Sequence, residues 1–154
     1  MAAPQVLKAL LENDVKAALL GGDRFVGGVL RDFKATILNE EVAQKVRDEG
    51  LSDEGIEKLL AREVKKRHES AALYDQAERA ELAENERAEA VVLAAYLPEQ
   101  LSEDDIKVTV EAIIADLGVS GPAAMGQVIG AVKAKLGNAA DGATIAKLVK
   151  NSLS

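Results

Sequence analysis

A chain of 154 residues can bury one core or two small ones, and 48% apolar content with only 3% aromatics makes any core one of Leu, Val, Ile and Ala. The absence of cysteine excludes disulfides, thiol catalysis and thiolate metal sites. The net charge of −7 argues against a general nucleic-acid binder, whose affinity comes largely from neutralising phosphates, but leaves room for a local basic face.

Met1-Ala2-Ala3-Pro4 lacks the basic-then-apolar layout of a secretion signal, and Pro4 sits where a first helical turn tolerates it. Leu7, Leu11, Val15 and Leu19 repeat every four residues up to Gly21-Gly22 and predict a first helix. Asp23 caps a second, with Val26, Leu30, Phe33 and Ile37 on its apolar stripe, Gly27-Gly28 weakening its first turns and Gly50 ending it. Ser52 opens a third, with Asp53 and Glu54 in a first turn that favours acids. Ile56, Leu60, Val64, Ala71 and Tyr74 share one of its faces, and Lys58, Arg62, Lys65 and Lys66 fall opposite. From Gln76 to Leu93 the chain stays helical in character, with Glu84 and Arg87 spaced to pair and a bend expected near Ala77–Leu82.

Pro98 cannot continue a helix and pushes Leu97 out of the α region, while Ser102 with Asp105 starts a new helix ahead of Ile106. Ile106, Val110, Ile113, Ile114 and Leu117 make it amphipathic, and Gly118 ends it. After Ser120-Gly121-Pro122, a helical stripe of Met125, Val128, Ile129, Val132 and Leu136 runs to Gly137. Asp141 caps a last helix with Ile145, Leu148 and Val149 inward. No segment has the alternation of a strand. The expected fold is all-α, with six or seven helices in two subdomains: an extended helical half over residues 1–97 and a compact three-helix bundle over residues 98–154. With no apolar run near the ~20 residues of a membrane span, a cytoplasmic monomer is expected.

The chemistry-bearing residues point away from catalysis. His68 is the single histidine, so no histidine pair can hold a metal or relay a proton, and an interfacial or surface helix residue is its ordinary reading. The many glutamates, interleaved with Arg and Lys on helices, read as solvated faces. There is no Gly-rich phosphate loop after a strand and no nucleophile elbow, so neither an active site nor a cofactor is expected. Gly126 and Gly130 share a helix face; a neighbouring helix is the ordinary occupant, an RNA backbone or partner chain the functional one. The turn from Gly137 to Gly142 is structural by default; the alternative is that its helix N-terminal amides meet a phosphate, in competition with the Asp141 carboxylate. Residues 117–154 hold four lysines against one aspartate, a surplus of three positive charges. Lys147 and Lys150 lie opposite the last helix's apolar stripe, whereas Lys133 and Lys135 sit about 200° apart on theirs. Solubility explains such faces by default, and RNA contact is the alternative. Arg67 falls inside an apolar stripe and needs a carboxylate from a neighbouring helix.

Tyr96-Leu97-Pro98-x-Gln100-Leu101 resembles the Tyr-Leu-Pro-x-Gln-Leu signature of the GatB/YqeY family. Val29-Leu30-Arg31-Asp32-Phe33-Lys34-Ala35, Lys65-Lys66-Arg67-His68-Glu69-Ser70, Met125-Gly126-x-Val128-x-Gly130 and Ala140-Asp141-Gly142 with Lys147-Leu148-Val149-Lys150 follow in family order, from about Leu7 to Leu153. The resemblance implies two helical subdomains and kinship with the C-terminal tail of the GatB component of the tRNA-dependent aspartyl/glutamyl amidotransferase. That complex amidates misacylated tRNA with glutamine as donor; its tail helps hold tRNA, and its ATP-using chemistry sits in a cradle domain that this chain is too short to contain. The resemblance therefore implies a free-standing tail that is not an enzyme on its own, with a carbon–nitrogen ligase label inherited from the complex. Its implied partners are tRNA, amidotransferase subunits or the aminoacyl-tRNA machinery, met through Lys147, Lys150, Lys133, Lys135, Gly126 and Gly130, and through Lys58, Arg62, Lys65 and Lys66. A protein-interaction module that binds no RNA is the alternative. Two departures stand out: Asn138-Ala139 replaces a turn that commonly carries Gly and a cation, and Glu78 or a neighbour replaces a glycine near the mid-chain bend.

Overall fold

The computed structural model describes residues 5–154, among which the chain forms seven α-helices and no strand. They are α1 (Val6–Leu20), α2 (Arg24–Ala43), α3 (Asp53–Gln76), α4 (Ala80–Ala94), α5 (Glu103–Leu117), α6 (Met125–Leu136) and α7 (Gly142–Leu153). Single 3-10 turns occupy Pro122–Ala124 and Gly137–Ala139. The expected place of Pro4 lies outside the described residues. Asp23, Ser52, Ser102 and Asp141 each accept a hydrogen bond from the amide three residues on, at Val26, Gly55, Asp105 and Thr144. Each cap satisfies an amide that has no carbonyl partner inside its helix.

Helix ends follow a less visible rule. α1 and α5 close on left-handed glycines, Gly22 with φ 79° and Gly118 with φ 63°. α2 and α3 close in the same way on Lys45 (φ 59°) and Glu78 (φ 58°). In both, the following amide reaches back across the last turn, from Val46 to the Glu41 carbonyl and from Arg79 to the Tyr74 carbonyl. This is a Schellman closure made without glycine. α2 therefore stops at Ala43 and does not run to Gly50, a correction to the sequence expectation. The bend expected between Ala77 and Leu82 is present, turning on Glu78.

By contacts, the chain through Leu97 forms one compact unit and Pro98–Ser154 another, each with its own apolar cluster. In the first, Leu11, Leu30, Ile56, Leu60 and Leu93 are fully enclosed, each burial stabilising by roughly 1.5–3 kcal/mol. Leu19 stays largely exposed and lies across α2, its Cδ2 2.8 Å from where a β-carbon on Gly27 would sit. Gly27 is thus a point of close approach between helices. The Tyr96 hydroxyl donates to Asp14 at 2.6 Å, joining the residues after α4 to α1. Burial, with the Asp14 carboxylate beside it, holds this phenol well above its ordinary pKa.

A polar clamp closes the same unit. Glu41 is 1% exposed, and its carboxylate accepts the Leu51 amide at 2.8 Å and the Lys8 ammonium at 2.9 and 3.2 Å. Burial pushes this carboxyl up, but Lys8, the Leu51 amide and the charge of Arg47 outweigh it and hold the group below its ordinary value. Gln5 gives α1 no side-chain cap and instead donates to the Glu49 and Gly50 carbonyls. The Leu7 amide at the start of α1 is satisfied by Asp53 of α3 at 2.9 Å.

α3 is 24 residues long, about 36 Å of helix, and its main neighbour is α4. Beyond Val64 on α3, and before Val92 on α4, neither helix contributes to the apolar cluster. There the pair is sealed by Ala71, Ala83 and Ala90, small enough for the two backbones to close on each other. Arg67 bonds to Glu63 at 3.0 Å and to Glu89 of α4 at 3.2 Å, supplying the neighbouring carboxylate that its position demands. Arg87 pairs with Glu84, as its spacing predicts, and with Asp75 across the hairpin. Glu41 and Glu63 are both buried, which corrects the reading of every glutamate as solvated.

In the second unit, α5, α6 and α7 all pack on one another around Ile106, Val110, Val128, Val132, Ile145 and Val149. The residues after Pro98 bind the turn ahead of α7: the Leu101 amide donates to the Ala139 carbonyl at 2.8 Å, and Gln100 to the Asn138 carbonyl at 3.0 Å. The Gln100-Leu101 motif thus fixes that turn.

Candidate functional site

α7 is the simplest place to build a site. Asp141 caps it through Oδ2, which accepts both the amide and the hydroxyl of Thr144 at 3.1 Å. Ile145, Leu148, Val149 and Leu153 face inward, so the helical repeat turns Lys147 and Lys150 to solvent. Lys147 Nζ meets Glu103, in the first turn of α5, at 3.2 Å. Both side chains are 60% exposed, and such a pair is worth less than about 1 kcal/mol. Lys150 has no ion-pair partner among the described residues.

Lys133 comes to the same region from α6. Its Cε and Nζ lie 3.5 Å from the point where a β-carbon on Gly142 would sit, so the side chain rests against the first turn of α7. Lys133 thus places a cation beside the start of α7. Lys135 is exposed in the last turn of α6, where a cation complements the helix dipole. The two lysines point apart, as their spacing requires.

Gly126 and Gly130 do not meet a neighbouring helix. Both are exposed on α6 with open space where a β-carbon would project, which corrects the packing expectation.

In the first unit, Lys58, Arg62, Lys65 and Lys66 are exposed on the outer face of α3, but acids answer most of them. Lys58 lies 3.5 Å from Glu54, Arg62 3.9 Å from Glu40 and Lys66 3.7 Å from Glu63. Only Lys65 lacks an acidic partner among the described residues. Three of the four cations on this face thus have an acid within 4.0 Å, as Lys147 has on α7. His68 is exposed.

Sequence reasoning missed Glu41. Its signal was available: Glu41 falls four residues after Ile37 on the apolar stripe of α2, as out of place there as Arg67 is on α3. It also missed a cleft between α1 and α2 lined by Lys8, Glu12, Lys34 and Glu41 with three apolar residues. Among the described residues, no group of three His, Asp or Glu is placed to hold a metal ion, and no single helix is long and apolar enough to cross a membrane.

A family model described as Yqey-like protein matches residues 8–153. No curated protein matches the chain.

Proposed function

Because the chain belongs to the Yqey-like protein family, we propose that it is a non-catalytic accessory protein that holds tRNA, in the manner of the amidotransferase tail it resembles. It works in the cytoplasm, as a monomer of two subdomains, beside amidotransferase subunits or the aminoacyl-tRNA machinery. The observation that carries this reading is the grouping of cations around the start and outer face of α7. Lys133 rests on Gly142, Lys147 and Lys150 project along the helix, and these belong to a segment, residues 117–154, with a surplus of three positive charges in a chain of net charge −7. The open Gly126–Gly130 face on α6 supports it, because a sugar-phosphate backbone needs close approach to a helix. The Lys58–Lys66 face is secondary, since its cations are mostly answered by acids.

Titration of bulk tRNA against the intact protein tests the proposal. Affinity is expected to fall linearly on a log–log plot against salt, with a slope of roughly −2 to −3 for three phosphate contacts. Lys147→Glu with Lys150→Glu is expected to flatten the slope and weaken binding at least tenfold, on the order of one phosphate contact per lysine. Unchanged affinity and slope in that variant remove the α7 face from consideration. A partner protein that is captured salt-insensitively, with no RNA retained, favours an interaction module instead.

A further inference from the structure

The cleft between α1 and α2 encloses about 300 Å3, the lower end of the range for small-molecule sites. Ala35, Ile37 and Leu38 of α2 form its apolar wall. Its charged lining is balanced, with two ammoniums and two carboxylates, but the two pairs differ. Lys8 and Glu41 are locked together at 2.9 Å, and the Glu41 oxygens are further used by the Leu51 amide. Lys34 and Glu12 stand 4.0 Å apart, too far for a hydrogen bond, with side chains 40% and 46% exposed. Neither makes any other hydrogen bond or ion pair among the described residues. The cleft mouth thus offers one ammonium and one carboxylate that are paired loosely and only with each other, side by side over an aliphatic wall.

That arrangement selects among ligands. A simple anion drawn to Lys34 is repelled by Glu12, and a simple cation meets the reverse. A molecule whose ammonium and carboxylate are attached to one carbon satisfies both groups at once, and an aliphatic substituent on that carbon covers the exposed Ala35 and Leu38. We propose that this cleft binds an aliphatic α-amino acid as its zwitterion, carboxylate to Lys34 Nζ and ammonium to Glu12. The site is separate from the α7 surface and stands whether or not that surface binds RNA.

Saturation-transfer NMR and calorimetry on the intact protein, with leucine, leucine methyl ester and N-acetyl-leucine as probes, decide the matter. Leucine is expected to bind saturably, and each blocked analogue to bind about tenfold more weakly, the loss of one charge-assisted hydrogen bond. Glu12→Gln and Lys34→Gln alter half-exposed side chains outside the apolar cluster, so both variants are expected to fold and to weaken leucine by a similar factor. Absence of leucine binding up to about 10 mM overturns the proposal. So does equal binding of either blocked analogue, or unchanged leucine affinity in both variants.

Discussion

Lys45 and Glu78 hold backbone angles that cost a residue with a β-carbon roughly 1–2 kcal/mol and cost glycine little. Both side chains are exposed, so nothing there repays the strain by burial. Glu78→Gly and Lys45→Gly are each expected to raise stability by about 1 kcal/mol, read as a higher urea midpoint at unchanged slope. Glu41 acts in the opposite sense. Its folded pKa lies below its ordinary 4.5, so between the two values the unfolded chain binds more protons and stability rises with pH. Its contribution is complete above the ordinary value and is lost as pH falls through the folded one. Glu57, raised by burial and by Asp53 and Glu54, runs contrary, its contribution fading as pH rises through its folded value. Glu41→Gln is expected to cost about 1–2 kcal/mol near neutral pH, and in urea unfolding that deficit should shrink as pH falls through the folded value.

At the scale of elements, the α3–α4 hairpin is the part least supported by the core. Its far half is closed by alanines and ion pairs, a seam that admits little extra volume. Ala83, wholly buried, is the sharpest test: Ala83→Leu is expected to destabilise by about 1–3 kcal/mol, seen as a lower melting temperature with faster amide exchange in residues 67–90 before the rest of the unit. The hairpin also marks what a single sequence reveals. Caps at Asp23, Ser52, Ser102 and Asp141 were legible because a short polar side chain before an apolar repeat acts within three residues. The end of α2 was not, because Lys45 carries no local signature of a left-handed turn; the reach of Val46 back to Glu41 emerges only once the helix exists. Arg67 announced its partner by lying in an apolar stripe, and Glu41 and Glu63 lay on equally inward faces but were read as surface through their charged neighbours.

Across the whole molecule, charge is sorted more sharply than composition suggests. The first turn of α5 holds Glu103, Asp104 and Asp105, while every charged residue of α6 and α7 is a lysine. The surplus was legible as a count over residues 117–154, but its placement was not. That Lys133 rests on Gly142 depends on how α6 meets α7, and that Glu103 reaches Lys147 depends on α5 beside α7; neither follows from spacing within one helix. The open Gly126–Gly130 face was misread for the same reason, since helical period says which residues share a face and not what lies against it. A β-carbon added at either glycine meets nothing within 4 Å.

The bond from Tyr96 to Asp14 has an optical consequence. The chain has no tryptophan and only two tyrosines, so its ultraviolet emission comes from phenols alone. A phenol that donates to a carboxylate at 2.6 Å passes its proton along that bond when excited, and its light is quenched. Unlabelled protein therefore carries a built-in gauge of whether α1 is seated against the residues that follow α4: over the emission of Tyr74, Tyr96 is dim while its hydroxyl is held and brighter once Asp14 lets it go.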